Sequence, residues 1–188
     1  MASQANANEA ILIHGPRLTS AHYGRTAETK CVPDKLPSSG RLVPDDFSVP
    51  AGHVAGGFRL VPLGPEHNAA DYAAWTSSID HIRATPGFVR SSWPSEDVRL
   101  TQNLADLERH ARDAADRTGF TYTVLSPEGV IGCVYIYPPR RAGYDAEVRS
   151  WVRASHAELD ESLWRVVSAW LVADWPFRHP DYAARGNS

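Results

Sequence analysis

The stretch from Phe120 to Phe177 constrains this chain more than any other. It reads as three strand runs separated by turns and followed by one helix. The runs are Phe120–Ser126, Val130–Tyr137 and Tyr144–Arg153. All three are rich in Val, Ile, Tyr, Thr and Trp, which suit a pleated, half-buried surface. Pro127-Glu-Gly129 and the Pro138–Gly143 cluster break them apart. An amphipathic stretch from Ser155 to Trp175 follows, with Leu159, Leu163, Val166, Val167, Trp170 and Leu171 on one face. Trp175-Pro-Phe177 ends it, because proline cannot continue a helix.

Upstream the order continues. Phe58–Leu63 is a short strand, and Gly64-Pro65 opens a helix over Glu66–Ser78. A second short helix spans Ile79–Thr85, and Phe88–Pro94 forms a loop. Leu100, Leu104, Leu107, Ala111 and Ala114 recur at helical spacing. Ser95 or Thr101 is placed to cap that helix and Gly119 to stop it. Arg109 and Arg112 lie within one turn of acidic partners on its solvated face.

The first 56 residues read differently. Proline, glycine and polar residues break any sustained period, so residues 1–56 are expected to form an extended arm, partly disordered before Pro33. Ile11-Leu-Ile13 could pack as an edge strand. Order is expected over 57–178, and 179–188 reads as a frayed tail.

With 188 residues the chain can bury a core without staples. The net charge of −3 gives no basic field for nucleic acid. No apolar run is long enough to span a membrane, and the start lacks the pattern of a signal peptide. Cys31 and Cys133 make no disulfide framework, and Cys133 reads as a small buried thiol. A reduced, cytoplasmic protein is expected. The histidines are scattered, with no metal-ligand spacing, so no metal site is indicated.

Strand, helices, antiparallel meander and helix make an α+β, three-layer architecture: a mixed, mostly antiparallel central sheet flanked by helices. That order over Phe58–Phe177 resembles the GNAT acyltransferase superfamily. Phe58-Arg-Leu-Val-Pro-Leu63 looks like its opening strand. Gly129-Val-Ile-Gly-Cys-Val-Tyr-Ile-Tyr137 is similar to its fourth strand, and Asp145-Ala-Glu-Val-Arg-Ser-Trp-Val-Arg153 to its fifth. The Cys133-Val-Tyr-Ile-Tyr-Pro138, Tyr144-Asp-Ala-Glu-Val148 and Trp175-Pro-Phe177 words match a GNAT-like subgroup.

The resemblance implies that the fourth and fifth strands splay to admit the pantetheine arm of acetyl-CoA. It also implies that the pyrophosphate rests at the helix N-terminus that follows. Trp151, Val152, Arg153, Ser155 and His156 would then hold the cofactor. The usual glycine-bearing phosphate loop is absent: Ala154-Ser-His-Ala-Glu-Leu-Asp-Glu161 carries three acids and no glycine. A carboxylate about 5 Å from a phosphate costs roughly 1 kcal/mol or more. Ser155 to Glu158 has instead the spacing of a capping box, with Asp160 as an alternative cap.

Acyl transfer to an amine needs a base, carbonyl-polarising donors and an acid for the leaving thiolate. Glu147 is the candidate base, with an ion pair to Arg149 or Arg153 as its structural alternative. Tyr135 and Tyr144 are candidate acids, against plain aromatic packing. His81, Arg83 and Trp93 are candidates to line the acceptor pocket.

Two readings stand. One is an N-acyltransferase moving an acyl group from a CoA thioester to a small amine. The other is a GNAT-fold ligand-binding or protein-interaction module that has lost CoA. The arm could occupy the cleft or bridge a homodimer.

Overall fold

The computed structural model describes residues 40–186, all within one compact unit. The arm before residue 40, with Cys31 and Ile11–Ile13, lies outside the described residues. The strands are β1 (His53–Ala55), β2 (Phe58–Pro62), β3 (Phe120–Ser126), β4 (Gly129–Tyr137), β5 (Ala146–Val152) and β6 (Pro180–Tyr182). The helices are α1 (Asn68–Thr76), α2 (Ile79–Ala84), α3 (Leu100–Ala115) and α4 (Asp160–Asp174). The six strands form one sheet in the order β1 to β6. Every pairing is antiparallel except β5 with β6, which is parallel because α4 carries the chain back between them.

Alternation along the strands feeds two cores. Leu60, Val124, Val134, Ile136, Val148 and Val152 face α4, against its Leu163, Val167, Trp170 and Leu171. Val130, Cys133 and Trp151 face the other helices, against Trp75, Ile82 and Leu107. Helices on both sheet faces make three layers, as the sequence predicts. A bulge at Ile131 shifts the β3–β4 register by one residue, so Val130 and Cys133, three apart, reach the same core. Cys133 is fully buried.

Gly132 is needed where β4 meets β5. A Cβ there would lie 2.2 Å from the Trp151 carbonyl oxygen. β4 and β5 stay hydrogen-bonded from Gly132↔Val152 to Tyr137↔Glu147. The expected splay between these two strands does not exist.

Helix ends also differ from expectation. Neither Ser95 nor Thr101 caps α3; the Gln102 side chain accepts from the Arg99 N–H at 2.7 Å. Arg117, at φ 61°, turns the chain after α3 in the place expected of Gly119. The capping box at Ser155–Glu158 does not form either. A 3-10 segment, Ala154–Leu159, kinks at His156 before α4 starts at Asp160.

Both expected boundaries move outward. Leu42 and Val43 are buried, and the Arg117 guanidinium donates to the carbonyls of Pro44 and Phe47 at 2.5 and 2.6 Å. Tyr122 donates to Pro50 O at 2.7 Å. Residues 41–55 thus belong to the body of the fold. At the other end β6 and Arg185 are built in, where fraying is expected from the sequence. Aperiodic segments gave no pattern to read, because their order comes from tertiary hydrogen bonds. No helix among the described residues is long and apolar enough to cross a membrane.

Candidate functional site

A cleft of about 550 Å3 opens on the sheet face shared with α1 and α3. Tyr135 and Tyr137 of β4, with Glu147 and Arg149 of β5, line it from the sheet. Asp71 comes from α1, Asn103, Leu107 and His110 from α3, and Phe88 and Trp93 from the connecting loop. The rings interlock: Phe88–Trp93 centroids lie 5.7 Å apart, Trp93–Tyr135 6.1 Å and Trp93–Trp151 6.2 Å. Trp93 is placed in the cleft wall.

Asp71 is 4% exposed. Asn103 Nδ2 donates to its Oδ2 at 3.1 Å, and Trp75 Nε1 donates to Asn103 Oδ1 at 2.9 Å. Burial pushes the Asp71 carboxyl up to about 6, partly offset by the Asn103 hydrogen bond.

His110 lies deeper along α3. Tyr137 donates its hydroxyl hydrogen to Asp113 Oδ2 at 2.8 Å. The Tyr137 oxygen is then left to accept from His110 Nδ1–H at 2.7 Å. That assigns the proton to Nδ1 and leaves Nε2 with its lone pair. Burial, with Arg109 beside it, pushes His110 down to about 4, so it is neutral near pH 7. Gly119 makes the chain possible: a Cβ there would lie 2.3 Å from the Tyr137 ring.

At the mouth one carboxylate is shared. Arg140 reaches Glu147 through Nε and Nη2 at 2.6 and 2.5 Å, and Arg149 Nε reaches it at 2.6 Å. The ion-pair alternative for Glu147 is therefore the observed one, with Arg149 and Arg140 rather than Arg153.

Other expected site residues fall elsewhere. Tyr144 lies outside the cleft under the Arg141 guanidinium, 4.8 Å from its centroid. Arg83 is spent on the Pro94 carbonyl at 3.1 and 2.8 Å, and His81 does not line the cleft. Tyr135 is half-buried in the cleft wall, its hydroxyl accepting from Trp151 Nε1 at 3.2 Å, and desolvation raises it well above the usual phenol range.

The residues expected to hold acetyl-CoA are engaged within the protein itself. Trp151 and Val152 are fully buried in the two cores. Arg153 Nη2 is turned toward Ser77 Oγ at 3.3 Å. Ser155 bonds His156, whose Nε2 lies 3.4 Å from Glu128. A phosphate cradle needs free backbone N–H groups. Those of Arg153, Ala154, His156 and Asp160 are already bonded, to Ile131 O, Ser78 Oγ, Arg153 O and Ala157 O.

The place where the sheet does open is between β5 and the chain after β6, whose pairing stops at Val148↔Tyr182. Arg185 fills it. Its side chain is 4% exposed, and it donates to Asp160, Ser150 O, Pro86 O and Ala183 O. All five guanidinium hydrogens have acceptors. Tyr182 adds a 2.5 Å hydroxyl contact to Ser150.

Among the cleft residues that the sequence-based site omits are Asp71, Asn103, His110, Phe88, Arg140 and Arg149. One signal existed: Asn103 and His110 share the helical stripe of Leu107 and Ala114, and polar residues on a buried stripe need a reason.

No protein-family model matches the chain, and no curated protein matches it in sequence. Solved structures do resemble it. A protein described as a probable acetyltransferase aligns with TM-score 0.54 at 13% identity, over 72% of this chain and 75% of that one. RimL, a ribosomal L7/L12 alpha-N-protein acetyltransferase, aligns in its coenzyme A complex with TM-score 0.50 at 11% identity, over 64% and 68%. Its apo form gives TM-score 0.50 at 10% identity, over 63% and 61%.

Proposed function

From the premise that the chain has the GNAT acetyltransferase fold, we propose that it binds a small amine in the cleft between α1, α3 and β4–β5, as a ligand-binding module that does not hold CoA in the conformation described. One observation carries the reading. Arg185, with every donor satisfied, fills the opening beside β5 while the cleft stays open. The cleft suits an amine. Aromatic faces attract cations, and Asp71 supplies a buried carboxylate ionised above about pH 6. Three tryptophans, Trp75, Trp93 and Trp151, form or back the wall. Phenethylamine should therefore change tryptophan emission saturably, and Asp71→Asn should weaken that response about tenfold, the size of one charge-assisted bond. A flat titration sinks the reading.

The second reading is N-acyl transfer from a CoA thioester to that amine. The fold favours it, as does His110, a neutral imidazole among the residues lining the cleft. Calorimetric titration with acetyl-CoA and with CoA decides between the two. Micromolar binding to the wild type supports transfer. No heat up to millimolar concentration, for wild type and for Arg185→Ala alike, excludes it.

A further inference from the structure

Apart from Asp106 and Arg109, which pair with each other on α3, the charges of the cleft fall in two groups. Asp71 marks one end, where Asn103 holds it and Trp75 holds Asn103. Trp75 packs on Trp93 (6.2 Å) and Trp93 on Phe88 (5.7 Å). Phe88 lies under the Arg149 guanidinium at 5.8 Å. A row of aromatic rings thus runs between Asp71 and Arg149.

The arginine end carries excess positive charge. Arg140 and Arg149 share the single carboxylate of Glu147. A second cleft of about 530 Å3 meets the first there, sharing Ser91, Arg140, Glu147 and Arg149. It adds Arg90, which is exposed and has no partner among the described residues, and Arg141, which is paired with Asp181 at 3.2 Å. Four guanidinium groups face two carboxylates. A guanidinium fork matches a carboxylate or a phosphate in plane, and a site where cations outnumber anions recruits one.

We infer that the ligand is a zwitterion, with its amino group at Asp71, an apolar body along Phe88 and Trp93, and an anionic group held by Arg140, Arg149 and Arg90. This deepens the amine-binding reading and rests on it. The arrangement selects in both directions. An amine without the anion leaves the excess arginine charge unmet. An anion without the amine leaves the Asp71 carboxylate buried and uncompensated.

The test uses the intact protein and three related probes at pH 7.5, read by calorimetry: glycyl-phenylalanine, its C-terminal amide and its N-acetyl derivative. The dipeptide should bind about tenfold tighter than either relative, one charge-assisted contact being worth about that factor. Arg149→Gln should erase the advantage over the amide and keep the advantage over the N-acetyl form. Asp71→Asn should do the reverse. Equal binding of dipeptide and amide overturns the zwitterion and leaves the amine site standing. Binding of neither overturns both. Replacing the terminal carboxylate of glycyl-phenylalanine by a phosphonate, with amine and ring kept, separates a phosphate-like anion from a carboxylate as the preferred one; failure of both anionic amines to exceed the neutral amide also counts against the proposal.

Discussion

Arg185 Nε lies 2.5 Å from Asp160 Oδ2, an ion pair between a buried guanidinium after β6 and the half-buried first residue of α4. It occupies the two features a phosphate would use, a helix N-terminus and the free edge of β5. Asp160 itself supplies the negative charge that the helix end favours. Removing Arg185 leaves that carboxylate and Ser150 O without their buried partner. Arg185→Ala should cost about 3–5 kcal/mol in urea unfolding. Asp160→Asn in the same chain should recover part of the loss, because the uncompensated charge goes with it. Additive losses would show that the pair is not coupled.

Asp71 and His110 should give the protein opposed pH slopes. Folded Asp71 keeps its proton from 3.8 to about 6, where the unfolded chain has lost it, so its contribution to stability falls as pH rises. Folded His110 lacks a proton between about 4 and 6.5, where the unfolded chain holds one, so its contribution rises with pH. In the wild type these two terms largely cancel across pH 4–6. Asp71→Asn should unmask the rising limb and be more stable than wild type at pH 7 by about 2–3 kcal/mol, a gain absent below pH 4. His110→Gln should unmask the falling limb. Urea midpoints across pH 4–7.5 test this, and identical slopes in all three proteins would refute it.

Trp75→Phe keeps an aromatic ring, deletes the indole hydrogen bond and leaves a small cavity in the core. Asn103 Oδ1 then sits buried without a donor, at a cost of about 1–3 kcal/mol. Because Asn103 also holds Asp71, the change should weaken phenethylamine binding although Trp75 is not itself among the residues lining the cleft. Unchanged binding would mean that Asp71 needs no such support.

The layers were readable because strands and helices carry period 2 and period 3.6 patterns, and Phe120–Trp175 carries both. Trp93 and Glu147 could be placed by loop position and strand alternation. What could not be read was whether β4 and β5 stay paired along their length. The strand runs at Gly129–Tyr137 and Asp145–Arg153 look alike whether they splay or pair, and the close approach of Gly132 to Trp151 settles it only in three dimensions. Arg185 sits in an aperiodic segment that gives no sign of burial. Glu147 was legible as a residue and not as an ion pair with Arg140, because a turn brings together positions seven apart.

Gly119 governs the His110 relay from outside it. Its backbone lies where an added Cβ would meet the Tyr137 ring at 2.3–2.8 Å. Gly119→Ala must therefore swing that ring, and with it the hydroxyl that joins His110 to Asp113. The expected cost is about 1–3 kcal/mol, the range for overpacking. The same substitution in a Tyr137→Ala background should cost almost nothing, since the obstructing ring is gone. Tyr137→Phe separates the two effects, because it keeps the ring in place and removes only the hydroxyl. Nitrogen NMR of His110 should then show the Nδ1–H preference weakened in both Gly119→Ala and Tyr137→Phe. A persistent cost of Gly119→Ala without the tyrosine ring would place the strain in the α3–β3 turn instead.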